Sequence, residues 1–478
     1  MAFIDLSCSK ALEEEPKSLL TEKAFYITAS DAVLAVNAAY DHLGGGTSNS
    51  DFGGVYFNNY WVVQALTSDN GKAGHQEANT VQLSEFRHDA SNQFVQDVWE
   101  DAYKTINVAN IAIAKIPDID MEEGLQSRLM GEAFFIRGLM YFELVRMFGG
   151  VPLLLNPTED LGILSIERNT SDEVYQLIIA DFKEAESRLP QKYTGADLGR
   201  ATTGAASAYL AKVYLTQKDY QSVLGQCARV MEMGVFRLLD DYADVFKVAN
   251  NFNDEVVFAT GFTFNNDAIW ETSQFNVRAL PLALNRNSNS WEIPTLDAYN
   301  SYNELDRRWE VTFSTSFLES DGTVLTFEPH IFKYWDPEAE PSASSGGNDF
   351  FNMRYADVLL MYAEASNEVN GGATAEAFEA VNRIRRRARY DGTMERNVLP
   401  DLTGLDQSAF RQAVWLERRR EFVWEGHRWF DLVRQGNLKE RVEIAKPEVN
   451  VDESKHVLFA IPQRERDINP NLNQNPGY

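Results

Sequence analysis

The sequence predicts a mainly α-helical protein in which helical hairpins pack against a loop-rich, irregular half with few short strands. Two observations support this prediction. Apolar residues recur at helical spacing in several separated pairs of segments. Two long insertions, residues 43–93 and 250–350, are instead rich in glycine, asparagine and serine, which favour turns and loops. With 478 residues the chain is long enough to bury a large core.

Three regions are predicted to form helical hairpins that resemble tetratricopeptide repeats, and they span about residues 94–148, 170–233 and 355–389. The clearest helix start is Thr170, because a threonine with Glu173 three residues later is typical of a capping box. Such hairpins cannot bury their apolar faces alone and therefore stack on neighbours. The uneven spacing indicates a helical half packed against irregular structure, and not a free-standing solenoid.

The chain contains two cysteines. Cys227 lies in an apolar helical stripe and is predicted to be a small buried hydrophobic residue, so a disulfide framework is not expected. Cys8 precedes an acidic segment, in a site similar to a bacterial lipobox. The residues before it are too few and too polar for a signal peptide, so we expect the leader to be absent or replaced. An incidental cysteine is the alternative.

Composition restricts the function. The chain has 44 basic and 71 acidic residues, a net charge of -27, which disfavours nucleic-acid binding. This charge is compatible with a neutral polysaccharide partner but does not demonstrate one, because an acidic surface is more often a solubility feature. The sequence contains no run of 18 or more apolar residues, so no membrane span is predicted. The six histidines lack metal-binding spacing, and no nucleotide-binding motif occurs, so neither a metal nor a cofactor is expected.

A helix near the C-terminal end is predicted to carry carboxylates within an apolar stripe. One helical face collects Phe410, Val414, Glu417, Glu421 and Trp424. Neighbouring arginines predict that Glu417 and Glu421 belong to a buried ion network. The alternative is a glycoside hydrolase that uses both as its catalytic pair. The basic run at residues 383–389 is likewise predicted to pair with carboxylates and not with nucleic acid.

Candidate binding residues lie in the 250–350 insertion. A sugar ring presents an apolar C–H face and a rim of hydroxyls, so a sugar site needs an aromatic platform and short polar side chains. Trp270 and Trp291 lie among asparagines and serines outside any helical stripe. Each is a candidate platform, with ordinary loop packing as the alternative. Trp309 and Trp335 are predicted to be packing residues.

Several motifs resemble the SusD/RagB family of outer-membrane nutrient-binding lipoproteins. Residues 417–436 read Glu-Arg-Arg-Arg-Glu-Phe-Val-Trp-Glu-Gly-His-Arg-Trp-Phe-Asp-Leu-Val-Arg-Gln-Gly, and residues 469–478 read Asn-Pro-Asn-Leu-Asn-Gln-Asn-Pro-Gly-Tyr. Residues 131–142 and 354–364 match further signatures of the family. The resemblance covers nearly the whole chain.

The resemblance implies a tether of residues 1–18, with Cys8 lipidated, followed by one SusD-like domain of residues 19–478 that ends in the motif region 407–478. It implies a surface-exposed outer-membrane lipoprotein without enzymatic activity. Such a protein binds glycan and passes it to a SusC-like TonB-dependent transporter. A protein-interaction scaffold, which would present an apolar concave groove, is the other alternative.

The resemblance also selects candidate glycan-binding residues by region, because family members bind glycan through the loop after the repeats and through the N-terminal loop. The candidates are Trp270, Phe275, Arg278 and Trp291 from the first, and Asp69, Asn70 and His75 from the second. A neutral glucan or fructan is favoured because the protein is acidic and the proposed site holds few basic residues.

Overall fold

The computed structural model describes residues 26–45, 53–158, 165–263, 272–284, 288–336 and 346–478. The candidate residues Cys8 and Trp270 lie outside these ranges. Within the described residues, no helix is long and apolar enough to cross a membrane. The division into a tether of residues 1–18 and one following domain stays a prediction.

Helices dominate the structure. In chain order they are α1 (Ala29–Gly44), α2 (Asn59–Leu66), α3 (Ala78–Ser84), α4 (Gln93–Lys115), α5 (Glu123–Phe148), α6 (Ser171–Arg188), α7 (Thr203–Thr216), α8 (Tyr220–Glu232), α9 (Tyr242–Val245), α10 (Phe275–Ala279), α11 (Leu296–Tyr299), α12 (Arg307–Thr312), α13 (Tyr355–Asn370), α14 (Ala375–Arg389), α15 (Gln407–Glu421), α16 (Arg428–Gln435), α17 (Leu438–Ala445), α18 (Glu453–His456) and α19 (Gln463–Ile468).

The long helices form a continuous row. Helix α4 packs against α1 and α5, and the row continues through α6, α7 and α8 to α13, which also contacts α14 and α15. The predicted capping box is present at the start of α6, where the Thr170 hydroxyl accepts from the Glu173 N–H and the Glu173 carboxylate accepts from the Thr170 N–H. Cys227 is fully buried in α8, as predicted.

The strands are short and form three antiparallel pairs. They are β1 (Gly71–Lys72), β2 (Val256–Thr260), β3 (Ile293–Pro294), β4 (Phe313–Leu318), β5 (Val324–Ile331) and β6 (Phe350–Arg354). Strand β1 pairs with β3, β2 with β6, and β4 with β5. The predicted fold class, helical hairpins against an irregular half with few strands, is therefore confirmed.

Two local predictions differ from the structure. Residues 59–66 lie in the predicted 43–93 loop but form helix α2, whose residues from Tyr60 onward are all buried. This helix is apolar on every side and too short to show helical periodicity. The helical spacing predicts that Trp424 shares a face with Glu421, but α15 ends at Glu421. The chain then turns at Trp424 and Gly426, which both have positive φ. That turn directs Glu425 towards Arg354.

Candidate functional site

The carboxylates of the C-terminal motif are sealed inside the protein. Glu417 and Glu421 are 1% and 0% exposed. Glu421 accepts from Arg354 at 2.9 Å and also from Arg387 and Arg308. Burial alone would raise the pKa of Glu421, but these three guanidinium groups hold it well below its ordinary value. The carboxylate is therefore ionised and enclosed.

Glu421 belongs to a larger network of buried charges. The carboxylates are Glu255, Asp306, Glu417, Glu421 and Glu425, and their cationic partners are Arg308, Lys333, Arg354, Arg385 and Arg387. Five negative and five positive groups balance, as a low-dielectric interior requires. A hydrolase would need Glu417 and Glu421 in an open cleft, whereas the structure gives the enclosed arrangement that the ion-network interpretation predicts. The basic run of α14 is likewise paired, with Arg385 on Glu417 and Arg386 on Asp401.

The two regions chosen as the candidate site lie side by side. Strand β1 of the N-terminal loop pairs with β3, which follows Trp291 in the 288–295 segment. The Thr295 N–H donates to the Asn70 carbonyl at 2.8 Å. Gly74 packs so closely that a Cβ there would lie 2.6 Å from the Ser290 carbonyl oxygen. His75, which is exposed, therefore lies one residue away from the contact with the Trp291 segment.

Trp291 keeps part of its surface accessible. Its ring stacks on Phe94, with ring centroids 5.0 Å apart, and the Arg278 guanidinium carbon lies 3.5 Å from the ring centroid. Burial lowers the pKa of Arg278 to about 10, opposed by nearby Glu77, so Arg278 stays charged at neutral pH. A cation over an aromatic face is attracted by about 0.5–2 kcal/mol. A sugar that uses this face of Trp291 must displace Arg278.

Glu292, the next residue, does not add charge to this surface. It is fully buried, and burial raises the pKa of its carboxyl well above the ordinary value, although nearby Trp424 lowers the pKa in part. The side chain of Glu292 is therefore enclosed beneath the surface that carries Trp291. The environment of Trp291 is set by an aromatic neighbour and one arginine.

Three candidates are buried, which does not fit direct contact with a polysaccharide. Phe275 is 2% exposed and stacks on Tyr334, with ring centroids 4.1 Å apart, so its ring is committed to the core. Asn70 is also buried, and its side-chain oxygen accepts from Arg419 at 2.8 Å. Asp69 is fully buried.

Asp69 joins the N-terminal loop to the C-terminal motif. Arg428 donates to both of its oxygens, at 2.7 and 2.8 Å. Arg419 and Arg441 add ion pairs at 3.2 and 3.4 Å. Burial raises the pKa of Asp69, but Arg419 and Arg428 more than offset this and hold it well below its ordinary range. The sequence could not show this role, because the partners lie about 350 or more residues away along the chain.

A second aromatic group, which was not among the predicted site residues, adjoins the Trp291 segment. It packs around Leu280 and Leu284 and consists of partly buried rings from β4, from β5 and from the residues just after β5: Phe317, Phe327, Phe332 and Trp335. His330 of β5 contacts the Ser290 hydroxyl at 3.1 Å, directly before Trp291. The alternation of apolar residues in β5 was the available signal. Trp335 and Trp309 pack against other apolar residues, as predicted.

No group of three or more histidine, cysteine, aspartate or glutamate side chains is placed to hold a metal ion within the ranges that the structure describes. The arrangement is therefore a row of helical hairpins packed against loops that hold Trp291 and Arg278 together. Its carboxylate pair is internal. These features define a helical-repeat binding scaffold.

Comparison with known proteins identifies the family. Residues 269–478 match the model of the SusD family, and residues 12–215 match a model described as starch-binding and associating with the outer membrane. SusD-like protein P25 of Formosa agariphila is 29% identical, over 99% of this chain and 96% of that protein. The chain belongs to the SusD/RagB family.

Solved structures agree. A SusD superfamily protein from Parabacteroides distasonis aligns with a TM-score of 0.81 and 25% identity, over 94% of this chain and 99% of that one. A laminarin-binding SusD-like protein aligns with a TM-score of 0.78 and 25% identity, over 95% of this chain and 100% of that one. Both similarities extend over nearly the whole chain.

Proposed function

We propose that this protein is a cell-surface glycan-binding protein that captures an oligosaccharide or polysaccharide without cleaving it and delivers it to a SusC-like TonB-dependent outer-membrane transporter. The observation that carries the proposal is Trp291, a partly exposed aromatic ring that is held by Phe94 and Arg278 beside the exposed His75 loop. A protein-interaction scaffold does not require such a ring. Membership of the SusD/RagB family supports the same function.

In this proposal Arg278 covers the Trp291 face when no sugar is bound. On binding, a sugar ring replaces the guanidinium over the indole, and Arg278 moves to hydrogen-bond the hydroxyl rim. His75 contributes from the N-terminal loop, and Trp270, which lies outside the described residues, remains a candidate by its sequence alone. Phe275, Asp69 and Asn70 support the surface from below and do not touch the glycan, because they are buried.

The ligand is proposed to be a neutral glucan or fructan. The net charge of -27 repels acidic polysaccharides, and Arg278 is the basic candidate in the proposed site. The similarity to a laminarin-binding protein makes laminarin the first polysaccharide to test. Lipid attached to Cys8 would tether the protein to the outer membrane, in keeping with the family description.

Affinity gel electrophoresis tests the binding. The parent protein and the Trp291→Ala, Arg278→Ala and Trp270→Ala variants are run in gels that contain laminarin, starch, inulin or an acidic polysaccharide. We expect retardation by a neutral polysaccharide, and loss of it in Trp291→Ala. Trp415→Ala is the matched control, because Trp415 is also a partly buried tryptophan but lies on α15, where it donates to Glu364.

Three outcomes would contradict the proposal. Retardation that is unchanged in Trp291→Ala would place the glycan elsewhere. Release of reducing ends from the retarding polysaccharide would show cleavage, and the test would then be repeated with Glu417→Gln and Glu421→Gln. Failure of the purified protein to associate with its transporter in detergent, with or without glycan, would refute delivery.

A further inference from the structure

A second groove lies away from Trp291, between α1, the 195–200 segment and the end of β2. It consists of two adjoining cavities of about 410 and 80 Å³, which share Leu198, Gly199, Arg200, Phe252 and Ala259. These lining residues include none of those assigned to the proposed glycan site. The larger cavity is of the size that a short sugar occupies.

The floor of the groove is an unusually placed aromatic ring. Phe252 has φ of 56°, a left-handed conformation that is uncommon for a bulky residue and marks local strain. Its ring fits between Gly199 and Gly261, where an added Cβ would lie 2.6 and 2.8 Å from the ring. Only glycine at both positions leaves room for the ring. The chain therefore accepts backbone strain to keep a partly exposed phenylalanine in this groove.

The rest of the lining is suited to a neutral, hydroxyl-rich ligand. Leu198 is 49% exposed beside Phe252 and extends the apolar floor. Asn37, Asp41 and Thr263 supply a polar rim. The charge of Arg200 is already compensated, because it donates to Glu132 at 2.8 Å and to Asp197 at 2.7 Å. The groove thus combines an apolar platform with hydrogen-bonding groups, and the exposed Lys192 borders the smaller cavity.

A buried carboxyl group fixes the two segments that border the groove. Asp349 accepts from the Phe262 N–H at 3.1 Å and from the Asn251 side chain at 3.0 Å. Burial raises the pKa of Asp349 to about 7, although the backbone N–H groups of Phe262 and Phe252 lower it in part. Asn251 directly precedes Phe252, and Phe262 directly precedes the lining residue Thr263. Asp349 therefore positions both segments that border the groove.

We propose that this groove is a second sugar-binding site, which takes one or two rings of a neutral oligosaccharide on the Phe252–Leu198 floor. The inference rests on the proposed glycan-binding function, since the ligand class is shared. The site would let the protein hold a glycan at two separate points, so that a chain released from Trp291 stays bound through Phe252.

Saturation-transfer difference NMR on the full chain tests this site. Trp291→Ala serves as the background to silence the first site, and the probes are laminaribiose, maltose, cellobiose and sucrose. We expect saturation transfer to at least one probe. Leu198→Asp should weaken that signal about tenfold by removing apolar contact, and Gly261→Ala should weaken it by displacing the Phe252 ring. Leu155→Asp, at 45% exposure outside the groove, is the control and should change nothing.

Each result decides one proposal. Absence of transfer to all four probes, or a signal that neither groove variant reduces, overturns the second site. Circular dichroism of the variants separates loss of the site from loss of the fold. If polysaccharide still retards the parent protein through Trp291 but no disaccharide gives an NMR signal, the proposed function stands and the second site does not.

Discussion

Replacing Glu421 by glutamine should strongly destabilise the protein. Glu421 is fully buried and accepts from Arg308, Arg354 and Arg387. Glutamine keeps the shape but removes the charge, so the network would hold five cations against four carboxylates. The new amide N–H groups would also face guanidinium groups. Removing one partner of a buried ion pair costs about 3–5 kcal/mol, and we expect a loss of that size.

Glu379→Gln is the matched control, because it makes the same substitution in a helical ion pair at the surface. Glu379 is 53% exposed and pairs with Arg386. An exposed pair contributes about 0–1 kcal/mol. Urea unfolding followed by circular dichroism gives the free energy of unfolding for both variants. A loss below about 1 kcal/mol for Glu421→Gln, or equal losses in the two variants, would refute the role assigned to the network.

The pH dependence gives a second measure of the same effect. The pKa of Glu421 is held well below its ordinary value in the folded protein. Its contribution is therefore complete above the unfolded pKa of about 4.3 and declines as the pH falls through and below that value. The difference in stability between the parent and Glu421→Gln should shrink as the solution is acidified. A difference that is constant from pH 7 down to the acid transition would contradict this account.

Three further predictions concern other buried groups. Asp349→Asn should raise the melting temperature at pH 8 but not at pH 4. The folded pKa of about 7 exceeds the unfolded value, so the folded protein loses stability as the pH rises between these two values and the buried carboxyl ionises. An equal change in melting temperature at both pH values would refute this. Asp69→Asn should lower the free energy of unfolding in urea by about 3–5 kcal/mol. At low temperature it should leave polysaccharide retardation within about twofold of the parent, and a larger loss of retardation would show that Asp69 contacts glycan. Cys227, whose thiol pKa is raised by burial, should react with Ellman's reagent only after unfolding, and reaction in the native protein would contradict its buried position.

Local sequence signals predicted the helical half well. Thr170 and Glu173 lie within one turn, so their capping box can be read directly from the sequence. Cys227 could be placed in the core because its neighbours repeat at helical spacing. The pairing of Arg385 and Arg387 with carboxylates followed from the cost of burying unpaired charge in an acidic protein.

The candidate site was harder to predict, because exposure depends on partners that are distant in sequence. Asp69 and Phe275 have the residue types of a sugar site. Asp69, however, is ion-paired with Arg428, and Phe275 is stacked on Tyr334. Trp424 continued the helical spacing of α15, but the chain turns before it. Periodicity records which residues could share a face and cannot report what packs against that face.

The link between Asp69 and Arg428 also affects how the protein folds. These residues are 359 positions apart, and Arg441 extends the separation to 372. Contacts between distant parts of a chain slow folding, because the loop entropy is lost before the contact forms. We therefore expect this connection to form late, after the helical hairpins, whose contacts are local. Until it forms, the loop that carries His75 lacks the ion pairs that join it to the C-terminal motif, so the proposed binding surface would be completed late in folding.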